Sequence, residues 1–202
     1  MEQLKTLDQI FEPDERQLPW VVRDRTSGEW RRKTLDDHHQ MIAGIELVED
    51  VPELVHNTFT TARQLLLYSW YVYPFIVVAE LQAYTSLEFA LRWCIGDVRS
   101  SARWGLARCM KHAITQGWLR DEGVREGARA RTSHTDFLEA IGLADKEEKL
   151  DESDPQAYIK LLSDIFPRAR NELAHGSPRL EPGGYVTLDL VARLINQLYG
   201  DG

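Results

Sequence analysis

Residues 75–95 constrain the fold of this chain more than any other segment, because apolar side chains occur on nearly every side of it when it is built as a helix. A helix that is apolar all round is stable in water only when other elements surround it. Apolar residues recur at steps of three and four between Leu54 and Ser69, and again between Leu188 and Leu198. The pattern therefore predicts an all-α helical bundle of four to five core helices, centred on residues 75–95.

Prolines and capping residues mark the ends of the predicted helices. Pro74 ends a helix that begins at Pro52, because proline lacks the backbone donor that a helix interior needs. Thr34 and Thr187 have side chains that can cap the first and the last helix. Pro167 is expected to kink or restart the helix that contains it. The remaining helices are predicted over residues 35–48, 103–117 and 155–175.

The first 50 residues differ in pattern from the rest of the chain. Residues 1–33 show no sustained helical period, and Trp20, Val21 and Val22 form a short apolar island that is typical of a small strand or an extended arm. We therefore expect an N-terminal extension over residues 1–50 and a helical domain over residues 51–202.

The residues best suited to chemistry are Arg170, Asn171 and His175, which Gly176 follows as a helix stop. An arginine can grip a phosphate, an amide can orient a substrate, and an imidazole exchanges protons near neutral pH. On a helix, Asn171 and His175 are neighbours one turn apart, separated by about 40° around the axis. The motif supplies the groups needed to cut RNA without a metal, so these three residues are the predicted catalytic site.

The motif R-N-x-x-x-H resembles that of the HEPN superfamily (higher eukaryotes and prokaryotes nucleotide-binding). Residues 80–92 are similar to the long first core helix of HEPN domains, and a terminal helix after the motif also fits. The resemblance implies a metal-independent endoribonuclease, of the kind found in toxin–antitoxin, CRISPR and phage-defence systems. It also implies a homodimer that brings two motifs into one cleft, and an antitoxin or another protein as a possible partner.

The same resemblance implies a role for each residue of the motif. A ribose 2′-hydroxyl attacks its own phosphate while His175 moves the proton as general base or acid. Arg170 grips the phosphate and the charge that builds on it, and Asn171 orients the pair or binds the ribose. Glu88 is the expected supporting residue: it either pairs with Arg92 one turn further along its own helix, or lies inside the bundle against Arg170.

A second function class is compatible with the sequence. Many HEPN-like domains are not catalytic and bind nucleotides or partner proteins, and a net charge of −8 fits such an interaction module. The charge is unevenly distributed, since residues 99–131 carry eight basic side chains against three acidic ones. The RNA-binding residues predicted from this distribution and from the motif helix are Arg125, Arg129, Arg131 and Arg168.

Other features of the chain indicate the compartment and exclude several kinds of site. Cys94 and Cys109 lie in apolar helical patterns, so we expect two core residues in a reducing cytoplasm rather than a disulfide. The apolar run over residues 65–79 is too short to span a membrane, and no signal peptide is recognisable at the start. No cofactor motif occurs, and the neighbouring acids and histidines of residues 36–39 diverge on a helix, which disfavours metal binding.

Overall fold

The computed structural model describes residues 4–24, 26–96, 103–124, 153–176 and 184–200. Within these ranges the protein is mostly helical, and the predicted all-α bundle with an N-terminal extension is confirmed. A 3-10 turn covers Glu15–Gln17. An antiparallel hairpin follows, with strands β1 (Val21–Arg23) and β2 (Trp30–Arg32). The helices are α1 (Leu35–Ala43), α2 (Glu53–Tyr68), α3 (Phe75–Ile95), α4 (Leu106–Thr115), α5 (Ala157–Ala174) and α6 (Gly184–Tyr199).

Helix α3 is the centre of the bundle, as its sequence predicts, and it contacts α2, α4, α5 and α6. Small side chains such as Ala79, Ala83 and Ala90 are fully buried along it, so the neighbouring helices can approach closely. Tyr84 of α3 packs edge-on against Phe166 of α5 with ring centroids 5.0 Å apart. Since aromatic pairs contribute more than their buried area, this contact helps to fix α5 across the central helix.

The apolar run over residues 65–79 is divided between two helices. Helix α2 ends at Tyr68, a turn follows, and Pro74 occupies the N-cap position of α3, so the break predicted at this proline is confirmed. The Ser69 hydroxyl is buried and donates to the carbonyl of Leu66 at 2.6 Å. None of the described helices is both long enough and apolar enough to cross a membrane.

Two predicted details of the helices need correction, and a third is narrowed. Helix α1 ends at Ala43 rather than at residue 48, with Gly44 as its C-cap. Beyond the cap, Asn196 of α6 accepts from the Val48 N–H and donates to the Glu46 carbonyl, both at 3.0 Å. Helix α6 begins at Gly184, so Thr187 is a buried interior residue and not its cap. Helix α5 contains Pro167 in its interior, so of the two effects predicted for this proline the restart does not occur.

The N-terminal segment packs onto the bundle through α1. Ile42 and Ile45 belong to the same hydrophobic core as the longer helices. Thr34 and Asp37 form a capping box at the start of α1, which confirms the predicted cap at Thr34. The His38 ring is buried. Its Nε2–H donates to the Leu66 carbonyl at 2.9 Å, and its Nδ1 accepts from the hydroxyl of Tyr185 in α6. Helix α1 is therefore tied to both α2 and α6.

Candidate functional site

Helix α5 positions the motif. Its first turn is held by Asp121, whose buried carboxylate accepts from the N–H groups of Tyr158 at 3.1 Å and Ile159 at 2.7 Å. At the other end, His175 is the C-cap and its N–H donates to the Asn171 carbonyl at 3.0 Å. Gly176 follows with a φ of 81°, a left-handed conformation that glycine adopts without strain. The helix therefore ends where the sequence predicts.

Arg170 lies at the edge of the bundle with part of its guanidinium buried. Its Nη1 donates to Asn171 Oδ1 at 3.2 Å, and its Nη2 lies 3.9 Å from Glu88 Oε2. Its Nε is buried and has no hydrogen-bond partner among the described residues. The side chain as a whole remains 38% exposed. Because a guanidinium has five N–H donors, Arg170 retains donors for an anion that approaches from solvent.

Glu88 pairs with both of the arginines that the sequence offered as alternatives. Its carboxylate is only 10% exposed and lies 2.5 Å from Arg92 Nη2, a much closer pair than the one with Arg170. Arg92 also donates to the carbonyl of Trp104 from Nε at 3.1 Å and from Nη2 at 2.6 Å. Nε and Nη2 of Arg92 are therefore bound to protein groups, and Arg92 fixes the carboxylate beside which Arg170 lies.

The remaining motif side chains face solvent. Asn171 and His175 are both exposed, and the His175 imidazole makes no side-chain hydrogen bond or ion pair with another described residue. Arg170, Asn171 and His175 thus share the last turn and a half of one helix, with the guanidinium anchored and the imidazole free. Such an arrangement can bind an anion at Arg170 and exchange a proton at His175.

The predicted RNA-binding arginines are only partly covered by the described residues. Arg168 is exposed on α5, two residues before Arg170. Arg125, Arg129 and Arg131 lie outside the described residues. Within the basic stretch that is described, Arg108 stacks over the Trp104 ring, with its guanidinium carbon 4.0 Å from the ring centroid. That contact places a further cation on the side chain of the residue whose carbonyl binds Arg92.

The described residues contain no group of three or more His, Cys, Asp and Glu side chains that could hold a metal ion. Asp37 instead pairs with Arg31 at 2.5 Å, and His38 is enclosed by carbonyls and aromatic rings. Cys94 and Cys109 are both free thiols. Burial raises the pKa of the Cys109 thiol, which makes it a poor nucleophile and fits the predicted core role.

Sequence reasoning did not find how Arg92 and Trp104 support the site. The spacing of Glu88 and Arg92 is an ordinary helical ion pair, and only the fold places the Trp104 carbonyl against the same guanidinium. A backbone carbonyl carries no sequence signal, so this part of the site was not predictable from residue types.

Comparison with known proteins adds no relative. No protein-family model matches the chain, and no curated protein or solved structure matches it either. The functional argument accordingly depends on the chemistry of the motif and on the contacts around Arg170.

Proposed function

We propose that this protein is an endoribonuclease of the HEPN type, with Arg170, Asn171 and His175 as its catalytic residues and Glu88 in support. The observation that carries the proposal is that the Arg170 side chain is partly paired within the protein and partly exposed to solvent. Its guanidinium is anchored by Glu88 and Asn171, keeps unfilled donors, and lies five residues from an exposed histidine on the same helix end. A guanidinium and an exposed imidazole at the same helix end support phosphodiester chemistry better than any other described cluster.

The proposed reaction uses the ribose of the substrate as nucleophile. The 2′-oxygen forms a bond to phosphorus, the bond from phosphorus to the 5′-oxygen breaks, and the products carry a 2′,3′-cyclic phosphate and a 5′-hydroxyl. The proton of the 2′-hydroxyl goes to a neutral imidazole, and an imidazolium returns a proton to the leaving 5′-oxygen. Arg170 binds the phosphate oxygens as negative charge builds on them. His175 is the group proposed for these proton transfers.

A short motif on one helix end offers too few groups to enclose a phosphate. A homodimer with two motifs in one cleft supplies more of them, which is why we propose that the active form is a dimer. RNA is the proposed substrate. The proposed setting is the bacterial cytoplasm, in a toxin or phage-defence role with an antitoxin or another protein as partner.

A cleavage assay on unstructured and structured RNA in EDTA tests the proposal. We expect the wild-type protein to cleave without added metal, and His175→Ala to lose at least about a hundredfold in rate, as expected for loss of general acid–base catalysis. Arg170→Lys should also be impaired, since lysine cannot reproduce the guanidinium fork. His39→Ala is the matched control, because His39 is an equally exposed histidine on α1. Equal rates for His175→Ala and His39→Ala would contradict the assignment.

A non-catalytic interaction module is the second candidate, and one observation favours it. Leu4, Leu7 and Phe11 are strongly exposed in the N-terminal segment, as apolar side chains at a protein interface are before the partner binds. Absence of cleavage, together with saturable binding of a nucleotide or a protein, would favour this candidate over the nuclease.

A further inference from the structure

The hairpin of β1 and β2 sorts its side chains onto two chemically different faces. Val21 is opposite Arg32 in the antiparallel pairing, and Arg23 is opposite Trp30. Because side chains alternate between the two faces of a strand, these four residues lie on one face, which we call the outer face. It carries two cations and two apolar side chains.

The opposite, inner face attaches the hairpin to helix α1 through Arg31, which pairs with two aspartates. Arg31 Nε lies 3.0 Å from Asp24 Oδ2, and Arg31 Nη1 lies 2.5 Å from Asp37 Oδ2 of α1. Val22, on the same side as Arg31, is half-buried, and Glu29 precedes β2. The four outer-face residues of the two strands therefore include no acidic side chain.

The outer face is open to solvent. Trp30 is 71% exposed and Val21 is 54% exposed, and both outer-face arginines are exposed as well. Arg23 is held over the turn by a hydrogen bond of 3.0 Å from its Nε to the Gly28 carbonyl. The Arg32 guanidinium has no acceptor among the described residues. A flat indole thus lies between two guanidinium groups, one across the hairpin and one further along β2.

We infer that the outer face binds single-stranded RNA, with a base stacked on Trp30 and the adjacent phosphates bound by Arg23 and Arg32. Stacking of a base on an aromatic ring is favourable for every base, and guanidinium groups bind phosphate in a fork. The choice of RNA over an acidic peptide rests on the proposed function and on Trp30. A chain of carboxylates needs cations but gains little from an exposed aromatic face.

Binding is tested with a fluorescein-labelled single strand of about 12 nucleotides, long enough for a typical single-strand site. The strand is 2′-O-methyl RNA, which cannot be cut by 2′-hydroxyl attack, so anisotropy reports binding alone. Trp30→Ala should weaken binding about fivefold or more, and Trp30→Phe should restore most of it. Replacing Arg23 and Arg32 with glutamine should flatten the slope of log affinity against log salt by about 1.4, for two lost phosphate contacts.

Two control variants are matched to these changes. Tyr68→Ala removes an exposed aromatic ring from α2, and the double change Lys111→Gln and Lys160→Gln removes two exposed positive charges from α4 and α5. Both controls should bind like the wild type. The inference is overturned if the hairpin variants bind normally, if the controls lose as much affinity, or if the wild type does not bind. It is also overturned if a polyglutamate peptide displaces the labelled strand as well as unlabelled RNA does and needs Trp30 to do so.

The proposed nuclease and the hairpin inference fail in different ways. A wild type that cuts unmodified RNA while the hairpin variants bind the methylated strand normally overturns the hairpin inference alone. A wild type that binds through Trp30 and never cuts RNA supports the hairpin inference and overturns the nuclease.

Discussion

Glu88 lies 2.5 Å from Arg92 and 3.9 Å from Arg170, and this difference determines what each arginine can do. Arg92 is closely bound to Glu88 and also donates to the Trp104 carbonyl from Nε and Nη2. Arg170 is attracted to the same carboxylate without being saturated by it. A single buried carboxylate therefore pairs closely with one arginine and loosely with another.

Replacing Glu88 with glutamine tests this division between the two arginines. The change leaves two partly exposed guanidinium groups without their counter-ion, and we expect a loss of about 1–2 kcal/mol in the free energy of unfolding, less than for a fully buried pair. Double-mutant cycles measured by urea denaturation should give a larger coupling between Glu88 and Arg92 than between Glu88 and Arg170. Equal couplings, or a larger one for Arg170, would contradict the geometry.

The buried His38 gives the stability of the protein a pH dependence. Burial lowers the pKa of His38 to about 4, and the charge of nearby Lys33 acts in the same direction. The unfolded chain binds this proton near pH 6.5 while the folded chain does not, so the contribution to stability is full above about 6.5 and is lost as the pH falls toward 4. The free energy of unfolding, measured by urea denaturation between pH 4 and 7, should depend less steeply on pH for His38→Gln than for the wild type. His39→Ala should keep the wild-type slope.

At the scale of elements, α5 depends on a cap that is distant in sequence. Asp121 accepts from two N–H groups in the first turn of the helix, which has no side-chain cap of its own. Asp121→Ala should therefore lower the free energy of unfolding by about 1–3 kcal/mol, the cost of leaving buried donors unpaired. Asp164→Ala is the control, since its pair with Lys111 is exposed and should contribute at most about 1 kcal/mol. A control that destabilises as much as Asp121→Ala would refute the capping role.

Local signals predicted most of the helices, and contacts between distant segments account for what they missed. The apolar character of α3, the break at Pro74 and the end of α5 at Gly176 follow from neighbouring residues. The end of α1 at Gly44 also has a local signal, which the prediction to residue 48 overlooked. The chain after it is held by Asn196, which lies in the last helix and carries no signal near residue 48. The same limit applies to the site. The motif can be read from neighbouring residues, whereas the pairing of Glu88 with both Arg92 and Arg170 depends on how the helices pack.

At the scale of the whole molecule, a net charge of −8 opposes RNA binding unless cations are concentrated on particular surfaces. The described residues provide two such surfaces, the exposed end of α5 with Arg168 and Arg170 and the outer face of the hairpin with Arg23 and Arg32. Neither surface encloses a phosphate by itself. A second copy of the chain would double the number of cations available to one RNA strand.

Mixing two inactive variants tests whether the active site is shared between protomers. A dimer of Arg170→Ala retains two His175 side chains and no Arg170. A dimer of His175→Ala retains two Arg170 side chains and no His175. Refolding the two together should give mixed dimers in about half of the population if assembly is random, each with one arginine and one histidine in the cleft. We expect these mixed dimers to recover measurable cleavage of RNA in EDTA. His175→Ala mixed with the double variant Arg170→Ala and His175→Ala has no histidine and should stay inactive. A monomeric wild type in light scattering, or dimers that mix without regaining activity, would show that the two motifs do not form one site.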